Sequence, residues 1–267
     1  MGLTGLISRV RVALKPVPGA RIRLEEYPFS SLQEHAALLA AHRDREYSVA
    51  WVDGSRLGGG ACRGLLSFAD HAPGGSAPSR TALSVPVTPP FSLINRTSAW
   101  CFSRVYAALR ARRATSREID HAACFFPLDG IDGWNRLYGP RGFHQYQCVI
   151  PMPSAAEGCS EILDAVHASG RISPLIVLKD FGPRRSPGLL SFPREGLTLA
   201  MDFPEHATLL SLFERLDSIV RAYGGALYPA KDSRMDAAMF RASFPELDRF
   251  RREIDPAFSS NFWRRVA

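Results

Sequence analysis

Lysine is scarce in this chain: of 33 basic residues only Lys15, Lys179 and Lys231 are lysines, and arginine serves everywhere else. A retained lysine is a candidate for work that needs a compact ammonium ion with an adjustable pKa rather than a planar fork; a composition bias toward arginine is the alternative. Cysteine pairing is missing as well. The five cysteines, Cys62, Cys101, Cys124, Cys148 and Cys159, are odd in number and never fall at CxxC spacing, which argues against a disulfide framework and a zinc site. The seven histidines show no HExxH or other tight ligand cluster, so no metal is implied. Gly58-Gly59-Gly60 lacks GxGxxG or Walker spacing and reads as a flexible turn. No uncharged run long enough to span a bilayer occurs, and MGLTGLISRVRVALKP lacks signal-peptide anatomy, so a cytoplasmic location is expected unless a partner carries the chain.

What remains is an ordinary globular composition: 267 residues, 46% hydrophobic and 22% charged, enough for one sizeable core or a large domain plus an appendage. The formal charge of +7 suits an anionic surface. Its arginines are scattered apart from clusters at 110–117 and 249–252, without an RNA-binding aromatic signature, so nucleic acid is not an expected partner.

Residues 6–14 alternate, with Ser8, Val10, Val12 and Leu14 on one face and Ile7, Arg9, Arg11 and Ala13 on the other. That pattern predicts a half-buried strand ended by Pro16 and Pro18. Ser30 or Ser31 caps a helix through Leu32 and Leu39, and Tyr47 to Asp53 reads as a strand carrying Trp51. Residues 71–90, rich in Pro, Gly, Ser and Ala, read as a long mobile loop. Beyond it, Leu93 to Arg112 has helical spacing, Ala122 to Phe126 reads as a short strand, and Gly142 to Pro151 as a longer one. Ser154 caps a helix to Gly170, Leu175 to Phe181 and Leu197 to Phe203 are strands, and a helix from His206 to Tyr223 stops at Gly224 and Gly225. A short strand at Ala226 to Tyr228 precedes terminal helices. Strands separated irregularly by helices, with no repeat, predict an α+β fold with a mainly antiparallel sheet flanked by helices.

Three segments carry chemistry. Period two in His144-Gln145-Tyr146-Gln147 puts Gln145 and Gln147 on one face, their Cα atoms about 6.5–7 Å apart. Side by side, two amides grip vicinal hydroxyls of a sugar or polyol, since each has a donor and an acceptor; water-facing glutamines are the alternative. Lys179, after an apolar run and before Gly182-Pro183, is placed to bind a phosphate or hydroxyl oxygen, or to pair with Asp180. In GGALYPAKDSRM, a Gly-Gly turn, a short strand and a helix start hold Lys231 where its charge would stabilise an anion on a cofactor or substrate. Pairing of Lys231 with a carboxylate, with Asp232 capping the next helix, is the alternative.

Taken in order, GLTGLISRVRVAL, YSVAWVD, FFPLDGIDGWNRLYGPRGFHQYQCVIP, LKDFGPR with LLSFP, LTLAMDFP, GGALYPAKDSRM, SFPELDRFRREIDP and FSSNFWRR resemble the decaprenylphosphoryl-ribose oxidase family. These are flavoproteins of the vanillyl-alcohol oxidase superfamily, related to the aldonolactone oxidases. The resemblance implies residues 1–19 as the last strand of an FAD-binding domain, 20–223 as a substrate-binding domain, and 224–267 as the return to the FAD-binding domain. It implies FAD as cofactor, at a site this chain encodes only in part, with Ile7, Tyr228 and Lys231 contacting it, and Gln145, Gln147, Lys179, Trp51 and Thr198 around the sugar-phosphate pocket. The implied reaction is hydride transfer from C2 of a lipid-linked ribose to the flavin, Lys231 stabilising the reduced ring, with the general base upstream.

The glycine-rich pyrophosphate loop of such proteins lies upstream of GLTG. The expectation is a natural truncation, a subunit complemented by a separate FAD-binding domain or reductase partner, or a misplaced start. Ala200 stands for a family cysteine, Thr198 for an asparagine, and Phe125-Phe126 for a Tyr-His pair. An aldonolactone oxidase and a non-catalytic module that binds a sugar phosphate or a partner are the rival expectations. The basic charge and the 71–90 loop also suit a membrane surface, where a polyprenyl substrate would be found.

Overall fold

A single antiparallel sheet organises the chain, and the computed structural model describes it over residues 2–75, 83–111, 116–231 and 234–267. In chain order the elements begin with β1 (Arg21–Phe29), α1 (Leu32–Ala41), β2 (Tyr47–Val52), β3 (Gly64–Ala72) and β4 (Leu83–Ser84). They continue with α2 (Arg96–Ala111), β5 (Ser116–Asp120), α3 (His121–Phe125), β6 (Ile131–Asp132), β7 (Phe143–Pro151) and α4 (Ala155–Ala168). The last are β8 (Ile176–Phe181), β9 (Gly196–Pro204), α5 (Leu209–Ala222), β10 (Ala226–Leu227), α6 (Ala237–Ser243), α7 (Leu247–Arg251) and α8 (Asn261–Val266). Eight strands form the main sheet in the order β10-β7-β9-β8-β2-β3-β1-β5, every neighbouring pair antiparallel. The expected α+β architecture with a mainly antiparallel sheet is what the chain adopts.

The sheet has two chemically different faces. On one, Tyr146, Cys148 and Ile150 of β7, Leu197, Leu199, Met201 and Phe203 of β9, and Ile176 and Leu178 of β8 are buried against the helices. Helix α4 offers Ile162, Leu163 and Val166, and α5 offers Leu212, Phe213, Leu216 and Val220, each at 3–4-residue spacing. Burying one such side chain contributes roughly 1.5–3 kcal/mol. The alternate residues of the same strands, among them Gln145, Gln147, Thr198, Ala200, Asp202 and Lys179, face the other way.

Local signals explain the helix ends. Ser31 Oγ accepts from Glu34 N–H (3.1 Å) while the Glu34 carboxylate accepts from Ser30 N–H (2.7 Å), a reciprocal cap for α1. Three expectations are corrected. Residues 6–14 form no strand, with Leu6, Val10, Val12 and Leu14 exposed and no strand alongside among the described residues. Alternation supplies a face but not a partner. Ala122 to Phe125 lie in α3 rather than in a strand, with Phe126 capping it, since Asp120 accepts from Ala122 N–H (2.9 Å) and starts a turn. His71 and Ala72 finish β3, and Leu83–Ser84 pairs in parallel with Ile131–Asp132, so the ends of the expected 71–90 loop are ordered. Its centre, 76–82, and part of the 110–117 arginine cluster, 112–115, lie outside the described residues. Among the described residues no helix is long and apolar enough to cross a membrane.

Beneath the sheet edge, Asp217 of α5 is the hub of a buried polar network. It accepts from Tyr146 Oη (2.9 Å) and from both terminal nitrogens of Arg234 (2.7 and 2.8 Å). Removing the charge leaves a guanidinium facing a neutral amide in a partly desolvated site. Asp217→Asn is expected to lower stability by about 3 kcal/mol, measured as a lower urea midpoint at unchanged slope.

Candidate functional site

The turn that follows α5 sets the position of Lys231. Gly224, at φ +65°, supplies the left-handed residue that ends the helix, and Gly225 N–H donates to Val220 O (2.7 Å). Gly225 passes so close to β7 that a Cβ there would lie 2.6 Å from Val149 O. Two glycines are therefore needed for different reasons, one for its φ and one for its closeness. β10 then pairs with Cys148 and Val149, Tyr228 N–H donates to Gln147 O (2.9 Å), and Lys231 N–H donates to Tyr228 O (3.1 Å) at the end of a 3₁₀ turn. Because β10 is so short, β7 keeps a bare edge from Phe143 to Tyr146 among the described residues. A concavity opens there, lined by Gln145, Gln147, Tyr228 and Lys231 together with His144 and Arg234.

The paired amides prove to be directional. Gln145 Nε2 donates to Asp202 Oδ1 (2.7 Å), a carboxylate that can only accept when ionised. Gln147 Nε2 donates to Thr198 Oγ1 (3.3 Å), whose own proton goes to Cys148 O (2.9 Å). Both amides therefore have an N–H committed to β9, and each retains its carbonyl oxygen for a ligand. The sequence pattern treated each glutamine as a balanced donor and acceptor; the register with β9 removes that balance.

Asp202 was not among the sequence candidates. It sits opposite Gln145 in the β7–β9 ladder, is 1% exposed, and its Oδ2 has no hydrogen-bond partner among the described residues. Burial pushes its pKa up to about 6, against the opposing pull of the Gln145 amide and the Lys231 charge. Its only sequence signal was period two in LTLAMDFP, which places it on the same face as Thr198 and Ala200.

Of the other candidates, Lys179 lies directly opposite Thr198 on this face and is exposed. Asp180 alternates to the opposite face, where Ser48 Oγ donates to it, so the neighbouring Lys179–Asp180 pair does not form. Trp51 faces the same side, opposite Val177, but is packed under α2 with its ring 4.8 Å from Tyr106 and 6.5 Å from Phe102. Ile7 is 79% exposed on the N-terminal extended segment and does not line the concavity. Among the described residues Lys231 makes no ion pair; Asp232, the alternative helix cap, lies outside them, and Asp236 caps α6 by accepting from Met239 N–H (2.7 Å). Tyr228 stacks on Phe192, ring centroids 4.6 Å apart.

The raised pKa of Asp202 has a stability consequence. Below the unfolded carboxyl value near 3.8 both states are protonated; between there and about 6 the folded state binds more protons, so stability falls as pH rises and is flat above. Asp202→Asn removes that loss. The variant is expected to be more stable than the parent by roughly 2–3 kcal/mol at pH 7–8, with the gap closing toward pH 4 in urea titrations.

No family model matches the chain. The decaprenylphosphoryl-beta-D-ribose oxidase of Mycolicibacterium smegmatis is 35% identical over 291 residues, covering 99% of this chain and 61% of that protein. The chain thus spans about three fifths of that relative's length. A Streptomyces coelicolor protein described as an uncharacterized protein in the mprA 5' region is 31% identical over 297 residues, covering 100% of this chain and 78% of its own. Among solved structures, berberine bridge enzyme from Eschscholzia californica aligns with 91% of this chain and 54% of its own at 12% identity and a TM-score of 0.48.

Proposed function

The chain belongs to the family of FAD-linked oxidases that includes decaprenylphosphoryl-beta-D-ribose oxidase, and from that premise we propose that it forms the substrate-binding part of an FAD-dependent sugar or polyol oxidoreductase. The substrate class that fits best is a polyprenylphosphoryl-β-D-ribose oxidised at its 2'-hydroxyl. The observation that carries this reading is the concavity in which two glutamines share one wall with Lys231. Sugar hydroxyls donate to the Gln145 and Gln147 carbonyl oxygens, and Lys179 on the same face offers an ammonium to a phosphate.

The residues fit one edge of a flavin: Tyr228 is stacked against Phe192, and Lys231 sets its positive charge near the buried Asp202 carboxylate. Bound there, FAD supplies the hydride acceptor that oxidation of a carbinol carbon requires. Lys231 favours negative charge beside it, and its backbone anchor to Tyr228 keeps that charge in place before reaction begins. The exposed side chains of residues 6–14 support docking against a flavin-carrying unit, whether in the same polypeptide or a separate one. The exposed Trp100, Phe102, Val105 and Leu109 of α2 support contact with a membrane surface, where a polyprenyl substrate resides.

The test is anaerobic reduction of the flavin in the assembly of this chain with a flavin-carrying unit. A short-chain prenylphosphoryl ribose is expected to bleach the visible flavin absorbance, and Lys231→Met to slow bleaching by about a hundredfold. Bleaching by an aldonolactone in its place reassigns the substrate; binding of the ribose without bleaching marks a non-catalytic module.

A further inference from the structure

We propose that Asp202 is a positioning residue that fixes the Gln145 amide with its carbonyl oxygen available to the concavity, so that this pocket recognises a vicinal diol through two acceptors. The inference rests on the sugar-site reading above and adds the group that sets its polarity. Its first support is chemical necessity: an ionised carboxylate offers no proton, so the Gln145 atom 2.7 Å from Asp202 Oδ1 is the NH2 and the remaining polar atom is the carbonyl oxygen. The second is the matching arrangement one step along the strand, where Thr198 Oγ1 gives its proton to Cys148 O and can only accept from Gln147. Two different β9 side chains thus impose the same orientation on two amides.

The third support is the thermodynamic oddity of Asp202. A carboxylate that is almost wholly buried, with one oxygen unpartnered among the described residues, destabilises the fold; an asparagine of the same shape would not. An asparagine, however, presents an NH2 as readily as a carbonyl to its neighbour and no longer dictates which end of Gln145 meets the ligand. The groups facing Asp202 are Gln145 from β7, Ser173 Oγ, which donates nothing to the carboxylate but accepts from the Asp202 N–H (3.0 Å), Tyr138 from the turn before β7, and Lys231. His144 belongs to the alternate side of β7 and is paired with Glu205. Protonation of Asp202 therefore lets its new O–H donate to the Gln145 carbonyl and turns the amide around.

The probe is methyl β-D-ribofuranoside, which has a cis-diol and no titrating group, with affinity measured by ligand-observed NMR from pH 5 to pH 8. The parent chain is expected to bind it about five- to tenfold more weakly at pH 5 than at pH 8, the worth of one hydrogen bond. Asp202→Asn is expected to show a flat profile, as is Gln145→Leu at uniformly lower affinity. In the parent, the Gln145 side-chain amide resonances should titrate with a midpoint near the Asp202 value of about 6; this needs no variant to fold. A flat parent profile with non-titrating Gln145 resonances, or an Asp202→Asn profile like the parent's, overturns the role of Asp202 and leaves the sugar site standing. No binding at any pH overturns the sugar-site reading and this inference with it.

Discussion

The antiparallel ladder through β7, β9 and β8 is the constraint from which the site follows. It sets Gln145 against Asp202 and Lys179 against Thr198, while the alternate residues Tyr146, Cys148, Leu178, Leu199 and Met201 are buried in the helix-covered core. A slip of one residue in this ladder would send the amides into the core and Tyr146, Cys148 and Leu199 into solvent. The hydrophobic side therefore holds the polar side in register. Site geometry is maintained by Leu199, Met201 and Phe203, which are buried in the core and do not line the concavity.

Much of this was legible because it depends on local periodicity. The strands through Gln145, Lys179 and Thr198 and the helix ending at Gly224 follow from spacing and punctuation alone, and all form close to the expected bounds. Long-range pairing was not legible. Residues 6–14 alternate as regularly as any strand but have no neighbouring strand, whereas β1, which carries Pro28 and charged Arg21, Arg23, Glu25 and Glu26, is paired along its length with β3. In β1 the charges are answered by partners, buried Glu26 by Arg117 and Glu25 by Arg45, which no single-segment reading reveals. The turn into α3 was likewise decided by one capping carboxylate, Asp120.

The same distinction separates the glutamines from the aspartate behind them. That two amides share a face is a property of one strand; which end of each amide is free is a property of two. Asp202, Thr198 and the Cys148 carbonyl together turn an ambiguous pair of side chains into a polarised surface. Lys231 belongs to this arrangement because Gly225 can pass within contact distance of Val149 O, bringing the following turn over the bare part of β7. The family resemblance named these positions, and the register supplies the physical reason they lie together.

The extended stretch before Gly19 has one more implication, for how the molecule behaves at high concentration. Leu6, Val10, Val12 and Leu14 project from a backbone whose amide and carbonyl groups find no ladder among the described residues. Such a ribbon is adhesive by nature, and Arg9 and Arg11, interleaved with the aliphatic side chains, act as its gatekeepers through like-charge repulsion. Salt that screens those two guanidinium groups weakens the safeguard while leaving the apolar contacts intact.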